Sequence, residues 1–328
     1  MPKKTAVILF QLGGPDSLEA VEPFLFNLFS DPDIIDFPFA GLARKPLARF
    51  IASRRKNIAG EHYREIGGKS PILDLTRQQA SALQRVLDRR ISSKVFVAMR
   101  YWHPLTDAVA KEVKAGGFDE IVLLPMYPHY SITTSGSSIN EWKKQSARIG
   151  LDGTPQKQVD YFYANPKYID ALVENITGTF RKFSGINPKD IRLVFSAHGV
   201  PVSIIKKGDP YQRHIEDTVR LVTERGKWGS PHLLCYQSKV GPAEWLKPSL
   251  HNTIHSLAGQ GVKNVLIVPL AFVTEHIETL HEINIETREE AHKLGIERFE
   301  MMPALNSHPK FIEGLADEVM KKVEGERL

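Results

Sequence analysis

The chain has 328 residues, 42% of them hydrophobic, which is enough to bury a full core and by length suggests two domains. A net charge of +5 is too mild to favour nucleic-acid binding, and the single cysteine, Cys235, excludes a disulfide or a cysteine-ligated cluster within one chain. No run of about 18 apolar residues occurs, so we expect neither a transmembrane helix nor a secretion signal. A cytoplasmic protein, at most peripheral to the inner membrane, is predicted.

The first half of the chain alternates apolar runs with helical patterns. Residues 5–10 predict a strand that breaks at a Gly-Gly-Pro turn, followed by a helix from about Ser17. The turn lacks the G-x-G-x-x-G spacing, so a dinucleotide fingerprint is absent. Residues 94–100 and 121–130 predict further strands, each followed by a helix. This alternation predicts a parallel sheet that helices cover on both faces.

A segment within the first half, about 31–70, has a different character. Residues 31–51 are rich in proline and aromatic residues and predict a lip with a short amphipathic helix. Between Gly41 and Lys69, eight basic residues stand against two acidic ones. The apolar residues in and before this stretch are Phe37, Phe39, Leu42, Leu47, Phe50 and Ile51. Such a mixture favours contact with lipid or with an anionic apolar ligand, and we expect peripheral membrane contact through residues 37–51.

The second half repeats the first in outline. Residues 192–201 resemble 7–15, and residues 264–270 resemble 120–126, although two unrelated parallel sheets could share this much. The pattern predicts an α/β protein with two similar Rossmann-like domains, each a parallel sheet flanked by helices, and a cleft between them. The predicted domains are residues 1–150 with the lip, residues 151–307, and a C-terminal helix in 308–328 that packs back on the first domain.

A row of glutamates follows the apolar run 265–273. If residues 275–286 form an α-helix, Glu275, Glu278, Glu282 and Glu286 fall within about 80° of one face. Like charges at this spacing repel, so the row is either a solvated face or a path for a cation or for protons. Its position at the carboxyl end of a strand favours a ligand-facing role, because open α/β sheets bind ligands at that edge.

His198 ends another predicted strand, in the sequence Phe-Ser-Ala-His-Gly-Val-Pro. A lone histidine there can be structural, but small neighbours leave it accessible and imidazole titrates near neutrality, as a general base should. In a parallel sheet, His198 and Glu278 end at the same edge. The pair could hold a divalent metal through nitrogen and oxygen ligands, or act as a proton acceptor with a relay.

Five blocks of sequence resemble a known family in order and spacing. They are Leu12-Gly-Gly-Pro15; Tyr63 through Gly67-Gly-Lys-Ser-Pro71; Arg100-Tyr-Trp-His-Pro-Leu-Thr106; Ser196-Ala-His-Gly-Val-Pro201; and residues 236–248 with 272–280. Together they resemble ferrochelatase, the enzyme that inserts ferrous iron into a porphyrin at the end of heme synthesis. The blocks span almost the whole chain, so chance agreement is negligible.

The resemblance implies roles for particular residues. His198 and Glu278 match the residues at the reacting centre, where they serve catalysis and metal contact. The path leading away from that centre matches Glu275, His276, Glu282 and Glu286. Porphyrin contacts fall on Leu12, Arg55, Tyr63, Ser70, Tyr127, Val200, Trp245 and Phe272. Arg55 and Ser70 suit propionates, since guanidinium and hydroxyl groups donate to carboxylates.

The resemblance also predicts the substrate. Leu12 is apolar where the coproporphyrin-using branch tends to carry tyrosine, so insertion of Fe(II) into protoporphyrin IX to give protoheme is expected. Trp102 and Lys69 depart from the family's common residues and predict a differently shaped lip. The alternatives are a coproporphyrin ferrochelatase, a cobalt or nickel chelatase of the same fold, or a non-catalytic heme or iron carrier. We expect no resident cofactor and no iron–sulfur cluster, because no cysteine follows Cys235.

Overall fold

The computed structural model describes residues 3–34, 40–239 and 243–325, with side chains at 40–42 outside the description. The chain forms two compact units. The first contains the residues up to Phe162 together with those from Ile312 onward, and the second spans Tyr163–Phe311. The first unit therefore extends beyond residue 150, where the sequence placed its end, and the C-terminal residues group with it.

The first unit is built on a parallel sheet. Its strands are β1 (Lys4–Gln11), β2 (Ser92–Met99), β3 (Glu120–Pro125) and β4 (Gln156–Gln158), in the order β2-β1-β3-β4. The central strands are buried almost throughout, as the continuous apolar runs predicted. Ile8, Leu123 and Trp142 belong to the core cluster that packs on this sheet.

The second unit has the same strand order. Its strands are β5 (Ile191–His198), β6 (His232–Gln237), β7 (Asn264–Pro269) and β8 (Arg298–Met301), in the order β6-β5-β7-β8, all parallel. Each unit therefore places its first strand between its second and third, so the predicted repeat and fold class are confirmed. Ile267, Ile283 and Phe299 belong to the second core.

Helices flank both sheets. In the first unit these are α1 (Val21–Phe29), α2 (Ala40–Glu65), α3 (Ile72–Leu87), α4 (Thr106–Gly116) and α5 (Ser137–Arg148). In the second they are α6 (Pro166–Phe180), α7 (Val202–Lys206), α8 (Tyr211–Gly226), α9 (Leu250–Gly259) and α10 (Arg288–Lys293). The last helix, α11 (Pro309–Glu324), lies mostly in the residues that group with the first unit.

The lip differs from its prediction. The short helix expected within residues 31–51 is instead the start of α2, which continues for 26 residues. Alanine, arginine and lysine favour this extension, and Gly67 and Gly68 follow its end with positive φ angles of 104° and 85°. Phe37 and Phe39 lie outside the described residues. Across the described ranges, no helix has both the length and the apolar character needed to cross a bilayer.

Both units contain a π-helix soon after their third strand. In the first unit it is Ile132–Gly136, and in the second it is Glu278–Thr287, where the sequence predicted an α-helix. The wider turn is visible in the bond from the Arg288 backbone N–H to the Ile283 carbonyl, five residues back. The α-helical assignment of the glutamate row is therefore wrong for the stretch Glu278–Thr287.

Candidate active site

His198 is the last residue of β5, where the strand leaves the centre of the second sheet. Gly199 follows, and its N–H donates to the Gln237 carbonyl at 2.8 Å. A Cβ on Gly199 would lie 2.9 Å from that carbonyl oxygen and 3.2 Å from the Trp245 ring. The Tyr211 hydroxyl also donates to the His198 carbonyl, at 2.9 Å. The backbone on both sides of the histidine is thus held closely.

Glu278 faces His198 from the start of the second unit's π-helix. The His198 Nδ1 atom lies 2.9 Å from Glu278 Oε2, within hydrogen-bond distance. The two side chains remain 35% and 22% exposed, so a ligand can reach the pair. Strands β5 and β7 are neighbours at the centre of the sheet. After β5 the chain continues to β6 on one side, and after β7 it continues to β8 on the other side. The pair therefore lies at the topological switch point, where such sheets bind ligands.

The pKa values of His198 and Glu278 are shifted in opposite directions. Burial opposes the charged form of His198, but the charge and hydrogen bond of Glu278, with the charge of Glu282, outweigh it and raise the pKa of His198 above its usual value. Burial likewise opposes ionisation of Glu278, yet His198 and then His276 hold the pKa of Glu278 well below its usual range. Each side chain therefore stabilises the charged form of the other.

Glu282 is a second carboxylate near the pair, with the opposite shift. Burial and the charge of Glu278 raise the pKa of Glu282, against the hydrogen bonding of Ser238 and the charge of His198. Ser238 donates its backbone N–H to Glu282 Oε1 at 2.9 Å and its hydroxyl to Oε2 at 2.5 Å. Ser238 adopts a positive φ of 65°, a conformation that costs free energy in a non-glycine residue and often marks a functional site.

His276 and Phe272 lie beside the pair. His276 Nδ1 donates to the Thr274 carbonyl at 3.1 Å, and its Nε2 atom is 3.9 Å from Glu278 Oε2. The Phe272 ring is 4.6 Å from the ring of His276 and 6.3 Å from that of His198, measured between centroids. The structure therefore brings together His198, Glu278, Glu282, His276 and Phe272.

Two other glutamates of the predicted path do not join this group. Glu275 precedes the π-helix, and its carboxylate accepts from the Ala304 N–H at 2.8 Å and contacts the Thr279 hydroxyl. The first contact ties Glu275 to the loop after β8, and the second ties it to the first turn of the π-helix. Glu286 lies on the π-helix and is exposed. In a π-helix of about 4.4 residues per turn, a residue four positions later lies about 30° behind the first around the helix axis. In an α-helix it would lie about 40° ahead. Because either angle is small, Glu278, Glu282 and Glu286 still share one face.

The remaining predicted contacts of the second unit lie next to Gly199. Val200 is buried and its carbonyl accepts from the Leu246 N–H at 3.1 Å. Trp245 pairs with Pro201 in an antiparallel bridge and is half-buried. Its indole N–H is buried and has no hydrogen-bond partner among the described residues, an exception to the usual pairing of buried donors.

The predicted contacts of the first unit lie near the ends of β1 and β3 and on α2. Leu12 follows β1 and accepts from the Tyr101 N–H at 3.0 Å. Ser70 is 6% exposed and close to Gly14, while Tyr63 is also buried. Tyr127 follows β3, and burial raises its pKa. Arg55 is exposed, with its guanidinium 5.8 Å from the Phe29 ring.

A buried cluster in the first unit escaped the sequence reasoning. Asp31 is 2% exposed and accepts from Arg100 Nη2 at 2.9 Å and from the Tyr101 hydroxyl at 2.5 Å, while Ser137 also contacts it. Burial raises the pKa of Tyr101. The signal in the sequence was an arginine directly after a strand, at residue 100, although nothing indicated its partner. Gln237 and Ser238 were missed for the same reason.

Comparison with known proteins fixes the family. The sequence model described as Ferrochelatase matches residues 4–323. The chain belongs to the ferrochelatase family. Proteins called ferrochelatase from Geobacter metallireducens and Trichodesmium erythraeum are 49% and 46% identical over 323 and 327 residues. These alignments cover 98% of this chain and 99% and 83% of the two relatives. The predicted family, the enzyme class and the metal-inserting role in heme biosynthesis are confirmed.

Solved structures agree with the fold that the alternation of strands and helices predicted. SirB from Bacillus subtilis with Fe³⁺ matches with a TM-score of 0.56 at 12% identity, covering 99% of this chain and 98% of that one. CbiX, described as the terminal enzyme for siroheme biosynthesis in denitrifying bacteria, matches with a TM-score of 0.50 at 12% identity, covering 97% and 98%. At this identity the likeness shows the fold alone.

Proposed function

We propose that the chain inserts Fe(II) into protoporphyrin IX, giving protoheme and two protons. The observation that carries this proposal is the partly exposed His198–Glu278 pair at the switch point of the second sheet, with Nδ1 and Oε2 separated by 2.9 Å. Insertion requires two pyrrole N–H protons to leave while a hydrated dication loses water. A histidine base can accept the pyrrole protons, and the neighbouring carboxylates can replace water around the dication.

His198 is the proton acceptor in this proposal. Its Nδ1 atom faces Glu278, so Nε2 is the nitrogen assigned to the porphyrin. Glu278 stabilises the imidazolium that forms when the proton arrives, in the way that a carboxylate orients and supports a catalytic histidine. The raised pKa of His198 makes the imidazole a stronger base. The imidazole can accept a proton only when it is neutral, so the reaction requires a pH at which part of His198 is unprotonated.

The glutamates carry protons away or bring the ion in. Glu278 has a lowered pKa and Glu282 a raised one, so neighbouring carboxylates have different proton affinities. Such a division suits a relay, because one group remains ionised while the next can take and release a proton. Glu286 continues the face towards solvent. Apolar contacts with the porphyrin are proposed to bend the ring and turn its nitrogen lone pairs out of plane.

The test is anaerobic incubation with protoporphyrin IX and coproporphyrin in parallel, following loss of free-base fluorescence. Fe(II), Co(II) and Ni(II) are each supplied. Fastest turnover is expected with Fe(II) and protoporphyrin IX. Preference for coproporphyrin would reassign the substrate, preference for cobalt or nickel would reassign the metal, and heme binding without turnover would make the chain a carrier.

No resident cofactor enters this proposal. Cys235 is the only cysteine of the chain and is buried in β6. Burial raises the pKa of Cys235 to about 12, so little thiolate exists at neutral pH to bind a metal. Iron is a substrate, and we expect iron and sulfide analysis of the purified protein to show no iron–sulfur cluster.

We further propose that the protein works in the cytoplasm and meets membrane surfaces through α2. Leu47, Phe50 and Ile58 are 38%, 57% and 62% exposed and lie within about 80° of one helix face. Arg54 lies on the same face, with its guanidinium 4.9 Å from the Phe50 ring. Exposed apolar residues with interspersed arginine suit an anionic lipid interface.

Sedimentation with vesicles containing anionic lipid tests this contact. Phe50→Glu and Ile58→Glu should each release the protein from vesicles, because they place a carboxylate at an apolar and anionic interface. Leu294→Glu is the matched control, since Leu294 is 36% exposed in the second unit. Equal binding of all three variants and the wild type would refute the contact.

A further inference from the structure

We propose that His251, His255 and Glu290 form a second divalent-metal site, which loads Fe(II) onto the glutamate row of the second unit. In the part of the chain that the structure describes, these three residues form a group whose potential ligand atoms all lie within 4.8 Å of one another. Two imidazoles and one carboxylate are a donor set that suits Zn²⁺, Co²⁺, Ni²⁺ and Fe²⁺.

Helix geometry brings the two histidines together. His251 and His255 are four residues apart on α9, so both project from one face. Their ring centroids are 4.4 Å apart, at an interplanar angle of 48°. Spacing of this kind is typical of helical metal sites, in which a third ligand comes from another element. Here Glu290 on the neighbouring α10 supplies it.

The carboxylate already contacts both rings. Glu290 Oε1 lies 2.7 Å from His251 Nδ1 and 2.8 Å from His255 Nε2. Bonds of about 2.0–2.1 Å to a tetrahedral ion would set these atoms about 3.3 Å apart. A shift of about half an ångström is therefore enough to admit an ion. The histidine side chains are 64% and 46% exposed, so they are free to make it.

Position connects this group with the reacting centre. Glu290 continues the four-residue spacing of Glu278, Glu282 and Glu286, and α10 follows the π-helix without a break. At no more than about 1.5 Å of rise per residue, Glu290 lies within about 18 Å of Glu278 along the helix axis. An ion bound at the histidines therefore lies at the outer end of a row of carboxylates whose inner end is Glu278, beside His198.

Zinc binding tests the site independently of turnover. The full chain is stripped with chelator and titrated with Zn²⁺ in the His198→Ala/Glu278→Gln background, which removes the inner pair. We expect one equivalent to bind, and His251→Gln with His255→Gln to abolish it. His232→Gln is the matched control, because His232 is an exposed histidine of the same unit, at the start of β6. Equal zinc binding by the double variant and the control would overturn the site.

Kinetics test the loading role, which rests on the proposed function. In an otherwise wild-type chain, His251→Gln/His255→Gln should raise KM for Fe(II) severalfold and leave kcat and KM for porphyrin unchanged. An unchanged KM for Fe(II) would overturn loading. The two assays fail separately, because zinc titration needs no porphyrin and detects the site even if the chain does not insert iron.

Discussion

The two units share a strand order but differ in what they place at the carboxyl edge of the sheet. In the second unit, the edge carries His198 and Glu278, charged and partly exposed. In the first unit, Asp31 and Arg100 form an ion pair whose side chains are 0% and 15% exposed, and Tyr101 and Ser137 close around the carboxylate. The first unit uses its charged pair as a buried structural contact, whereas the second unit leaves its charged pair accessible to a ligand. Duplication of a fold therefore need not duplicate its chemistry.

The strongest test of this contrast is His198→Ala. Loss of a general base costs about 10²–10⁴-fold in rate, and we expect metal insertion to fall by at least that factor. Porphyrin binding, measured by fluorescence quenching, should remain. His232→Ala, which changes an exposed histidine of the same sheet, should insert iron normally. Full activity in His198→Ala would remove the histidine from the mechanism.

The first unit should respond to substitution through stability. Asp31→Ala leaves Arg100 nearly buried and unpaired, and breaking a buried ion pair costs about 3–5 kcal/mol. Chemical denaturation should show that loss. Asp33→Ala is the control, because Asp33 makes an exposed hydrogen bond with Asn140, and its effect should stay within about 0.5 kcal/mol. A stable Asp31→Ala protein would contradict the structural role.

Much of this architecture could be predicted from the sequence. Apolar runs between helical patterns identified the parallel strands, and the resemblance of residues 192–201 to 7–15 pointed to the repeat. The π-helix could not be predicted, because glutamates four residues apart share a face in both α and π geometry. The partners of Asp31 and Glu282 could not be predicted either, since they come from distant elements whose approach only the fold determines.

Gly199 tests how closely the histidine must be held. In Gly199→Ala the new Cβ would lie 2.9 Å from the Gln237 carbonyl oxygen, so the loop must shift and take His198 with it. We expect about 1–3 kcal/mol of destabilisation and a 10- to 100-fold slower insertion, measured on the folded protein. Gly178→Ala, a helical position with nothing within 4 Å, should be neutral or stabilising. Normal activity in Gly199→Ala would show that the site tolerates the shift.

Glu278→Gln should move the pH dependence of the reaction. Glu278 is the larger of the two charges that raise the pKa of His198, and burial alone would lower it. Because the base must be neutral, activity in the wild type should fall as pH drops through a value above about 6.5. In Glu278→Gln that fall should move to lower pH, as seen in the pH–rate profile or in NMR titration of His198. Glu289→Gln, an exposed change on α10, should leave the profile in place.

The smallest effects are expected at Ser238, which contrasts with Gly13 of the first unit. Both residues have positive φ, 65° and 85°, but only serine is strained by it. Ser238→Ala and Ser238→Gly both remove the hydroxyl that donates to Glu282, so both should raise the pKa of Glu282 further. Only glycine adopts a positive φ without strain. The Ser238→Gly variant should therefore be more stable than Ser238→Ala by about 1–2 kcal/mol. Carboxylate titration by NMR and denaturation separate the two effects. If alanine and glycine prove equally stable, the strain is absent, and the contrast between the units reduces to the charges they expose.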